Sequence, residues 1–125
     1  MLLVPGLSAE VELRVSPDDT AEALGSGEVP VLGTPRVLAL CEEASVRALA
    51  GQLAPGQTSV GTRGERDHRA ATPVGASVRA RATLEAVEGN LLRFRIELRE
   101  GERKLAEGSL ARALVDRERF LARLR

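Results

Sequence analysis

Residues 35–53 constrain the fold most, because their pattern predicts a helix that is apolar or small around most of its circumference. At helical spacing, one polar stripe carries Arg36, Glu43 and Arg47. The stretch Ala-Pro-Gly at 54–56 ends the helix. A helix buried on so many sides needs a wide apolar surface wrapped around it, which the rest of the chain must supply.

The start of this helix is signalled by two neighbouring residues. Thr34 is a good N-cap, since its hydroxyl can accept a backbone N–H of the first turn. Pro35 suits the first helical position, where its missing N–H costs nothing. We therefore expect Thr34 to act as the cap of the helix.

Alternating apolar and polar residues predict strands over most of the remaining chain. A stretch at 16–30 predicts a loop or a single helical turn without a core face, and a short helix is expected at 117–125. The strands are expected at 8–15, 76–87, 92–99 and about 104–115, with a more ambiguous fifth at 57–69. The pattern predicts one α+β domain over residues 1–125, with the hotdog fold: a long central helix wrapped by a curled antiparallel sheet of about five strands.

Composition excludes several classes of function. The 125 residues carry 18 Lys+Arg and 18 Asp+Glu, so the chain lacks the basic excess of a nucleic-acid binder. With one cysteine and one histidine, a structural zinc site is not expected. No P-loop, nucleophile elbow or dinucleotide fingerprint is present, so we expect no cofactor.

The N-terminal residues Met-Leu-Leu-Val-Pro lack the basic and long apolar regions of a signal peptide. No apolar run is long enough to cross a membrane. We therefore expect a cytoplasmic protein with no membrane partner.

Two acidic residues sit side by side on the predicted helix but face different surroundings. Glu43 falls in the stripe with Arg36 and Arg47, which indicates a solvated ladder of ion pairs. Glu42 falls in the apolar arc of Leu38, Val46, Leu49 and Leu53, where a carboxylate is expensive to bury. A salt bridge or an edge position would explain Glu42 structurally; a catalytic carboxylate is the alternative.

Three further residues have both structural and chemical interpretations. His68, the single histidine, can be a polar surface residue or a proton-transfer group. The hydroxyl of Thr34 can cap the helix and also lie at an anion-binding helix end. Cys41 falls in the apolar arc and is interpreted as a small core residue, with a nucleophile as the chemical alternative.

Several short motifs recur in order with matching spacing and resemble the fluoroacetyl-CoA thioesterase family over roughly residues 5–120. The motifs are VLGTPR at 31–36, LCEEA at 40–44, TSVGT at 58–62, DHRAATPVG at 67–75 and AEG at 106–108 followed by an arginine. The resemblance implies a homodimeric hotdog enzyme with the catalytic set Thr34, Glu42 and His68. It also implies substrate-binding roles for Gly61 and Arg112.

The chain departs from the family pattern at two places. The family has aromatic lid residues where this chain reads GSGEVP at 25–30, so the resemblance does not carry selectivity for fluoroacetyl-CoA to this chain. The family also tends to alternate apolar residues before the histidine, where this chain has Gly64 and Arg66. A distorted strand is expected there.

The resemblance therefore implies an acyl-CoA thioesterase for a small or medium acyl group. Glu42 would attack the carbonyl or activate water, His68 would handle protons and Thr34 would orient one of them. The oxyanion would be held by backbone N–H groups near Gly61 or the helix start. The alternative is a non-catalytic acyl-CoA or small-ligand binding module. A hydratase is a third alternative, which the motifs favour less because they resemble those of thioesterases. A five-stranded sheet is too small to bury both the helix and its own edges, which favours a homodimer.

Overall fold

The structure is a computed structural model that describes residues 3–125. Residues 1 and 2 lie outside the described residues. They belong to the N-terminal stretch from which a cytoplasmic location was expected, and to the domain expected over residues 1–125. The strands are β1 Ser8–Arg14, β2 Gln57–His68, β3 Ser77–Glu88, β4 Leu91–Glu100 and β5 Arg103–Asp116. The helices are α1 Ala21–Leu24, α2 Thr34–Leu49 and α3 Arg117–Ala122, with a 3₁₀ turn at Pro17–Asp19.

The five strands form one antiparallel sheet in the order β1-β3-β4-β5-β2. The meander β3-β4-β5 predicted from alternation is confirmed, and the ambiguous segment at 57–69 is a full strand. That strand, β2, pairs with β5 and forms one edge of the sheet. The α+β class predicted from the sequence is confirmed.

Helix α2 packs across the sheet, mainly on β1 and β3. Its buried residues Val37, Leu40 and Ala44 join the core with Phe94 and Ile96 of β4. The helix lies over the sheet because every second residue of β3 and β4 is apolar and faces it. Cys41 is 1% exposed in this core, which confirms its interpretation as a small core residue.

The start of α2 differs from the prediction. Gly33 is the N-cap and Thr34 is the first helical residue, so the predicted capping role of Thr34 is wrong. The backbone carbonyl of Gly33 accepts the first helical bonds, from the amides of Arg36 and Val37. The hydroxyl of Thr34 is therefore not needed by the helix and is engaged elsewhere.

The end of α2 also differs, since the helix stops at Leu49 and not near residue 53. Gly51 has a φ of 78°, the left-handed conformation that commonly terminates helices. The exposed side of α2 is wider than the predicted stripe, because Ala39 is exposed and Val46 is 49% exposed.

Residues 16–30 contain more structure than predicted. Thr20 is buried and caps α1, its hydroxyl accepting the amide of Ala23. Asp19 is also buried; its carboxylate accepts bonds from the amide and hydroxyl of Ser16 and from Nε of Arg36 at 2.9 Å. Arg36 therefore pairs with Asp19 and is not part of the predicted ladder of ion pairs on α2. The Glu43–Arg47 ion pair of that ladder is confirmed, at 2.9 Å.

The terminal helix is confirmed at Arg117–Ala122 and has no buried residues. None of the helices described between residues 3 and 125 is long and apolar enough to cross a membrane.

Candidate active site

The sequence-predicted site residues lie along the line where α2 meets β2, which we call the seam. The positions of β2 that face the seam are Gly61, Gly64, Arg66 and His68. The strand is irregular between Gly61 and Arg63, where the register with β5 shifts by one residue. The distortion expected at Gly64 and Arg66 is not found there, since the register is regular from Arg63 to His68; the irregularity is a bulge that comes before them.

One end of the seam holds Thr34 and His68. Oγ1 of Thr34 and Nδ1 of His68 are 2.8 Å apart, which is a hydrogen bond whose direction depends on the imidazole tautomer. Because Gly33 serves as the N-cap, the Thr34 hydroxyl is available for this contact. Nε2 of His68 is buried and meets no hydrogen-bond partner within residues 3–125.

The environment of His68 favours its neutral form. Burial lowers the pKa of His68 below its ordinary value, and the positive charge of Arg66 lowers it further. A backbone contact at Ala70 opposes both effects but does not outweigh them. A neutral imidazole at this position can accept a proton near pH 7.

A pocket of about 280 Å³ opens beside the Thr34–His68 pair. Its walls come from residues 21–34 and 68–71, and no Phe, Tyr or Trp is among the lining residues. The start of α2 lies in the same wall, so the backbone of Thr34 borders the pocket, whereas Pro35 has no N–H and the amides of Arg36 and Val37 are bonded to the carbonyl of Gly33.

The other end of the seam holds Glu42, Gly61 and Arg112. Oε2 of Glu42 lies 3.7 Å from Nη1 of Arg112. A Cβ added at Gly61 would overlap the carboxylate of Glu42, so the glycine is what lets this carboxylate reach β2. Gly64, the next seam-facing position of β2, also leaves no room for a side chain, because a Cβ added there would lie 2.7 Å from Cδ1 of Leu38.

Arg112 is 6% exposed and held by several partners. Its Nε donates to the hydroxyl of Ser59 at 2.9 Å, and Nη2 donates to the carbonyl of Ser59 at 3.2 Å. Nη1 lies 3.5 Å from the hydroxyl of Ser45 on α2. Burial lowers the pKa of Arg112, and the nearby charge of Glu42 partly offsets that shift.

Glu42 is less buried than its position on the helical wheel predicted. Its side chain is 41% exposed at the edge of the helix. The two structural explanations offered from the sequence, a salt bridge and an edge position, both hold. They are compatible with chemistry, because an exposed carboxylate fixed beside an arginine is accessible to substrate.

The predicted site residues form two groups, which do not contact each other within the described residues of one chain. Thr34 bonds His68, whereas Glu42 joins Gly61 and Arg112. Thr34 and Glu42 are separated by eight positions on α2, which is about 12 Å along the helix axis. One chain therefore presents two half-sites at opposite ends of the seam.

Sequence reasoning missed the serines that hold Arg112. Ser45 and Ser59 come from α2 and β2, far apart in the chain, and no motif links them. A signal existed for Arg112 itself, because the alternation of β5 places it on the same face as the buried Leu110. An arginine on a buried face requires partners.

Other features of the surface do not join this site. A hollow of about 520 Å³ lies over β2, β4 and β5 but includes neither Thr34, Glu42 nor His68. Within the described part of the chain, no three His, Cys, Asp or Glu side chains are grouped to hold a metal ion.

Residues 15–118 match the family model of FlK, the fluoroacetyl-CoA-specific thioesterase. The fluoroacetyl-CoA thioesterase of Streptantibioticus cattleyicolor is 39% identical over 95 residues, which are 76% of this chain and 68% of that protein. A crystal structure of a mutant of the fluoroacetyl-CoA-specific thioesterase with fluoroacetate and CoA is 32% identical, with a TM-score of 0.87 over 94% of this chain and 99% of that one. A hot-dog-like protein from Thermanaerovibrio acidaminovorans is 25% identical, with a TM-score of 0.88 over 96% of this chain and 89% of that one. The chain has the hotdog fold and belongs to the FlK family of fluoroacetyl-CoA-specific thioesterases.

Proposed function

We propose that this chain, a thioester hydrolase by family, cleaves the thioester of acyl-CoA molecules with a small or medium acyl group, using Thr34, Glu42 and His68. The observation that carries the proposal is the hydrogen bond between Thr34 and His68 beside an open pocket. A helix needs no such bond, and a histidine whose pKa is lowered by burial is suited to proton transfer. The acyl-CoA class follows from the family.

The proposed reaction adds water across the carbon–sulfur bond. Glu42 accepts a proton from water as the water oxygen bonds to the thioester carbon. The oxyanion is stabilised by backbone N–H groups at the bulge near Gly61 or at the start of α2. The carbon–sulfur bond then breaks, and the proton that Glu42 took from water passes through the neutral imidazole of His68, oriented by Thr34, to the departing thiolate, so that both side chains return to their starting forms. The products are the free acid and CoA.

Arg112 and Gly61 have supporting roles in this proposal. Arg112 keeps the carboxylate of Glu42 in place through an ion pair and is itself anchored by Ser59 and Ser45. Gly61 leaves room for that carboxylate against β2. Substrate binding at Gly61 would use its exposed backbone, since a side chain there would displace Glu42.

We propose that the active enzyme is a homodimer, because one chain separates the two half-sites. Strand β2 is an edge of the sheet within the described residues; Gly61 is the fifth of its twelve residues and His68 the last. Antiparallel pairing of two β2 edges, in the register with the two-fold axis between residues 64 and 65, would place His68 of one copy near Gly61 and Glu42 of the other. The dimer would then contain two complete sites, and each would combine one half-site from either copy.

The proposed activity is tested by thiol release from a panel of acyl-CoA esters, which includes fluoroacetyl-CoA because it is named for the relatives. Wild type should release CoA, and Glu42→Gln should lower kcat by about 10²–10⁴-fold. Glu43→Gln is the matched control, since Glu43 is exposed and bonds only Arg47. Binding of an ester without any release of CoA would support the non-catalytic module instead.

The dimer is tested by mixing two inactive variants, Glu42→Gln and His68→Ala, under conditions of verified subunit exchange. If each site combines His68 of one copy with Glu42 of the other, half of the chains pair as mixed dimers with one intact site. The mixture should then recover about a quarter of wild-type activity. Activity no greater than that of the parents would show that each site lies within one chain.

We also propose a single domain that acts in the cytoplasm. One hydrophobic cluster joins α2 to β1, β3, β4 and β5 within the described residues, and Cys41 is buried and unpaired, as in reducing compartments. Fractionation of cells with an antibody to the chain would test the location; recovery with secreted proteins would contradict it.

A further inference from the structure

The pocket beside the Thr34–His68 pair is closed at its inner end and open at its rim. Ala21 and Leu32 line the pocket and are only 9% and 1% exposed, so they form the inner end. Val29 also lines it and is 54% exposed, which places it at the rim. A group that enters the pocket therefore ends against buried apolar side chains.

The lining side chains offer little charge to a ligand. Most of the described residues that line the pocket are glycine, alanine, valine or leucine. Among them Arg69 alone carries a fixed charge, and its guanidinium lies 3.5 Å from the carboxylate of Asp67 and 3.8 Å from that of Glu107. The side chain of Arg69 is 62% exposed, so this charge lies at the surface. The interior therefore suits an uncharged aliphatic group.

The wall of the pocket is preformed in one chain. The loop that follows α1 is held by the backbone, since the carbonyl of Val31 accepts the amide of Ala21 at 2.8 Å. Of the lining residues only His68 belongs to β2, and the larger share lies at 21–34. A second copy paired along β2 would therefore border the pocket at His68, where the proposed reaction takes place, and leave most of the wall unchanged.

The size of the pocket limits the length of the group that it can hold. Its volume is about 280 Å³, and the small residues Gly27, Ala70 and Ala71 in its lining leave this space open. A cavity of about 150 Å³ holds benzene, a ligand of six carbons. The pocket therefore has room for an aliphatic chain of about six carbons, and an acetyl or fluoroacetyl group would fill only part of it.

The two arms of a thioester differ in how they end. The acyl arm of an aliphatic ester ends in a methyl group, whereas the CoA arm continues through two amides to a charged nucleotide that must reach the solvent. A pocket with an apolar, closed inner end can accommodate only the first. We propose that this pocket binds the acyl chain and that the preferred substrates are CoA thioesters of unbranched, uncharged acids with about four to six carbons, such as hexanoyl-CoA. This inference rests on the proposed thioesterase function and names its substrate class.

The experiment measures kcat/KM by thiol release with acetyl-, fluoroacetyl-, butyryl-, hexanoyl- and decanoyl-CoA. The variants Val29→Phe and Ala71→Phe each place a bulky side chain into the pocket from an exposed position, where the core is not disturbed. Val87→Phe is the matched control, because Val87 is an exposed valine of β3 that does not line the pocket. Urea denaturation and the oligomeric state of each variant are measured in parallel.

Wild type should have its highest kcat/KM with butyryl- or hexanoyl-CoA, about 10-fold or more above acetyl-CoA, and a lower value with decanoyl-CoA. Val29→Phe and Ala71→Phe should each lower the ratio of the hexanoyl to the acetyl rate by about 10- to 100-fold, and Val87→Phe should keep it. A wild-type optimum at acetyl- or fluoroacetyl-CoA would overturn the inference. So would losses that are equal for all esters in both pocket variants.

Failure of the proposed function can be told apart from failure of this inference. If wild type hydrolyses no ester at all, the thioesterase proposal fails. Calorimetric binding of hexanoyl-CoA and acetyl-CoA to the wild-type protein then still tests the pocket. Tighter binding of hexanoyl-CoA that is lost in Ala71→Phe supports the acyl site, and equal binding of the two esters refutes it.

Discussion

The two ends of the seam hold their polar groups by different physical means. At one end, Thr34 and His68 form a single hydrogen bond, and burial lowers the pKa of His68, which favours the neutral imidazole. At the other end, Glu42 and Arg112 form an ion pair. Serine side chains hold the arginine, and a glycine leaves room for the carboxylate. The first arrangement suits proton transfer, and the second fixes a charge in space. The difference indicates that the two ends have separate roles, which substitutions at each end can test.

The largest effect is expected at the charged end, from Gly61→Ala. The new methyl group would overlap the carboxylate of Glu42 and turn it away from the bulge. We expect kcat to fall by about 10²-fold or more, because a small displacement of a catalytic group is costly. The free energy of unfolding should change little, since the end of a flexible side chain can move. Thiol-release kinetics and urea denaturation measure the two quantities.

Gly64→Ala is the control for this prediction. Its methyl group would press on Leu38, which is packed against the core, so we expect a loss of stability of about 1–3 kcal/mol. The activity of the folded fraction should stay closer to wild type than that of Gly61→Ala. If both variants lose activity in proportion to stability, the specific role of Gly61 is refuted.

A smaller effect is expected at the neutral end, from Thr34→Val. The change removes the hydroxyl that bonds Nδ1 of His68 but keeps the shape of the side chain. We expect a decrease in kcat of about 10- to 100-fold, while Thr34→Ser should retain most of the activity. Helix stability should barely change, because Gly33 and not Thr34 is the cap. A loss of stability without loss of activity would restore the capping interpretation.

The pH profile should separate the two ends further. Burial lowers the pKa of His68, so the neutral, proton-accepting form persists below the ordinary histidine pKa of about 6.5. We expect kcat/KM to remain level from about pH 8 to 6.5 and to fall only at lower pH. Initial-rate measurements across this range, with CoA release as the readout, provide the check. An acid limb centred above pH 6.5 would contradict the assignment.

The smallest effect is expected behind the neutral end, from Asp19→Asn. The backbone carbonyl of Asp19 accepts the amide of Gly33, and its carboxylate binds Arg36 and Ser16. Burial alone would raise the pKa of Asp19, but these bonds outweigh it and leave the pKa lowered. The carboxylate therefore stabilises the fold above its unfolded pKa, and this contribution is lost as the pH falls through the folded one.

Asp19→Asn should cost about 1–2 kcal/mol at neutral pH, and the difference from wild type should shrink in acid. Urea denaturation at several pH values measures this. Asp18→Asn is the control, since Asp18 is exposed. A difference that persists unchanged in acid would rule out the carboxylate as its source.

Local pattern was sufficient for most of the fold. The strands alternate because one face of the sheet is covered by α2, and this period is visible in β3 and β4. The buried position of Cys41 followed from the same wheel. Strand β2 was harder to predict, since its helix-facing positions include two glycines and an arginine, which carry no apolar period.

The sequence by itself determined the long helix, most of the strands and the core, and its motifs led to the proposed residues of the site. Only the tertiary structure decided which atoms meet. Thr34 bonds a histidine 34 positions away, and this contact, together with Gly33, replaced the local capping role. Glu42 lies at an exposed edge because a glycine and an arginine on two strands receive it. Hydrogen bonds and ion pairs between distant residues depend on the register of strands, which no local pattern specifies.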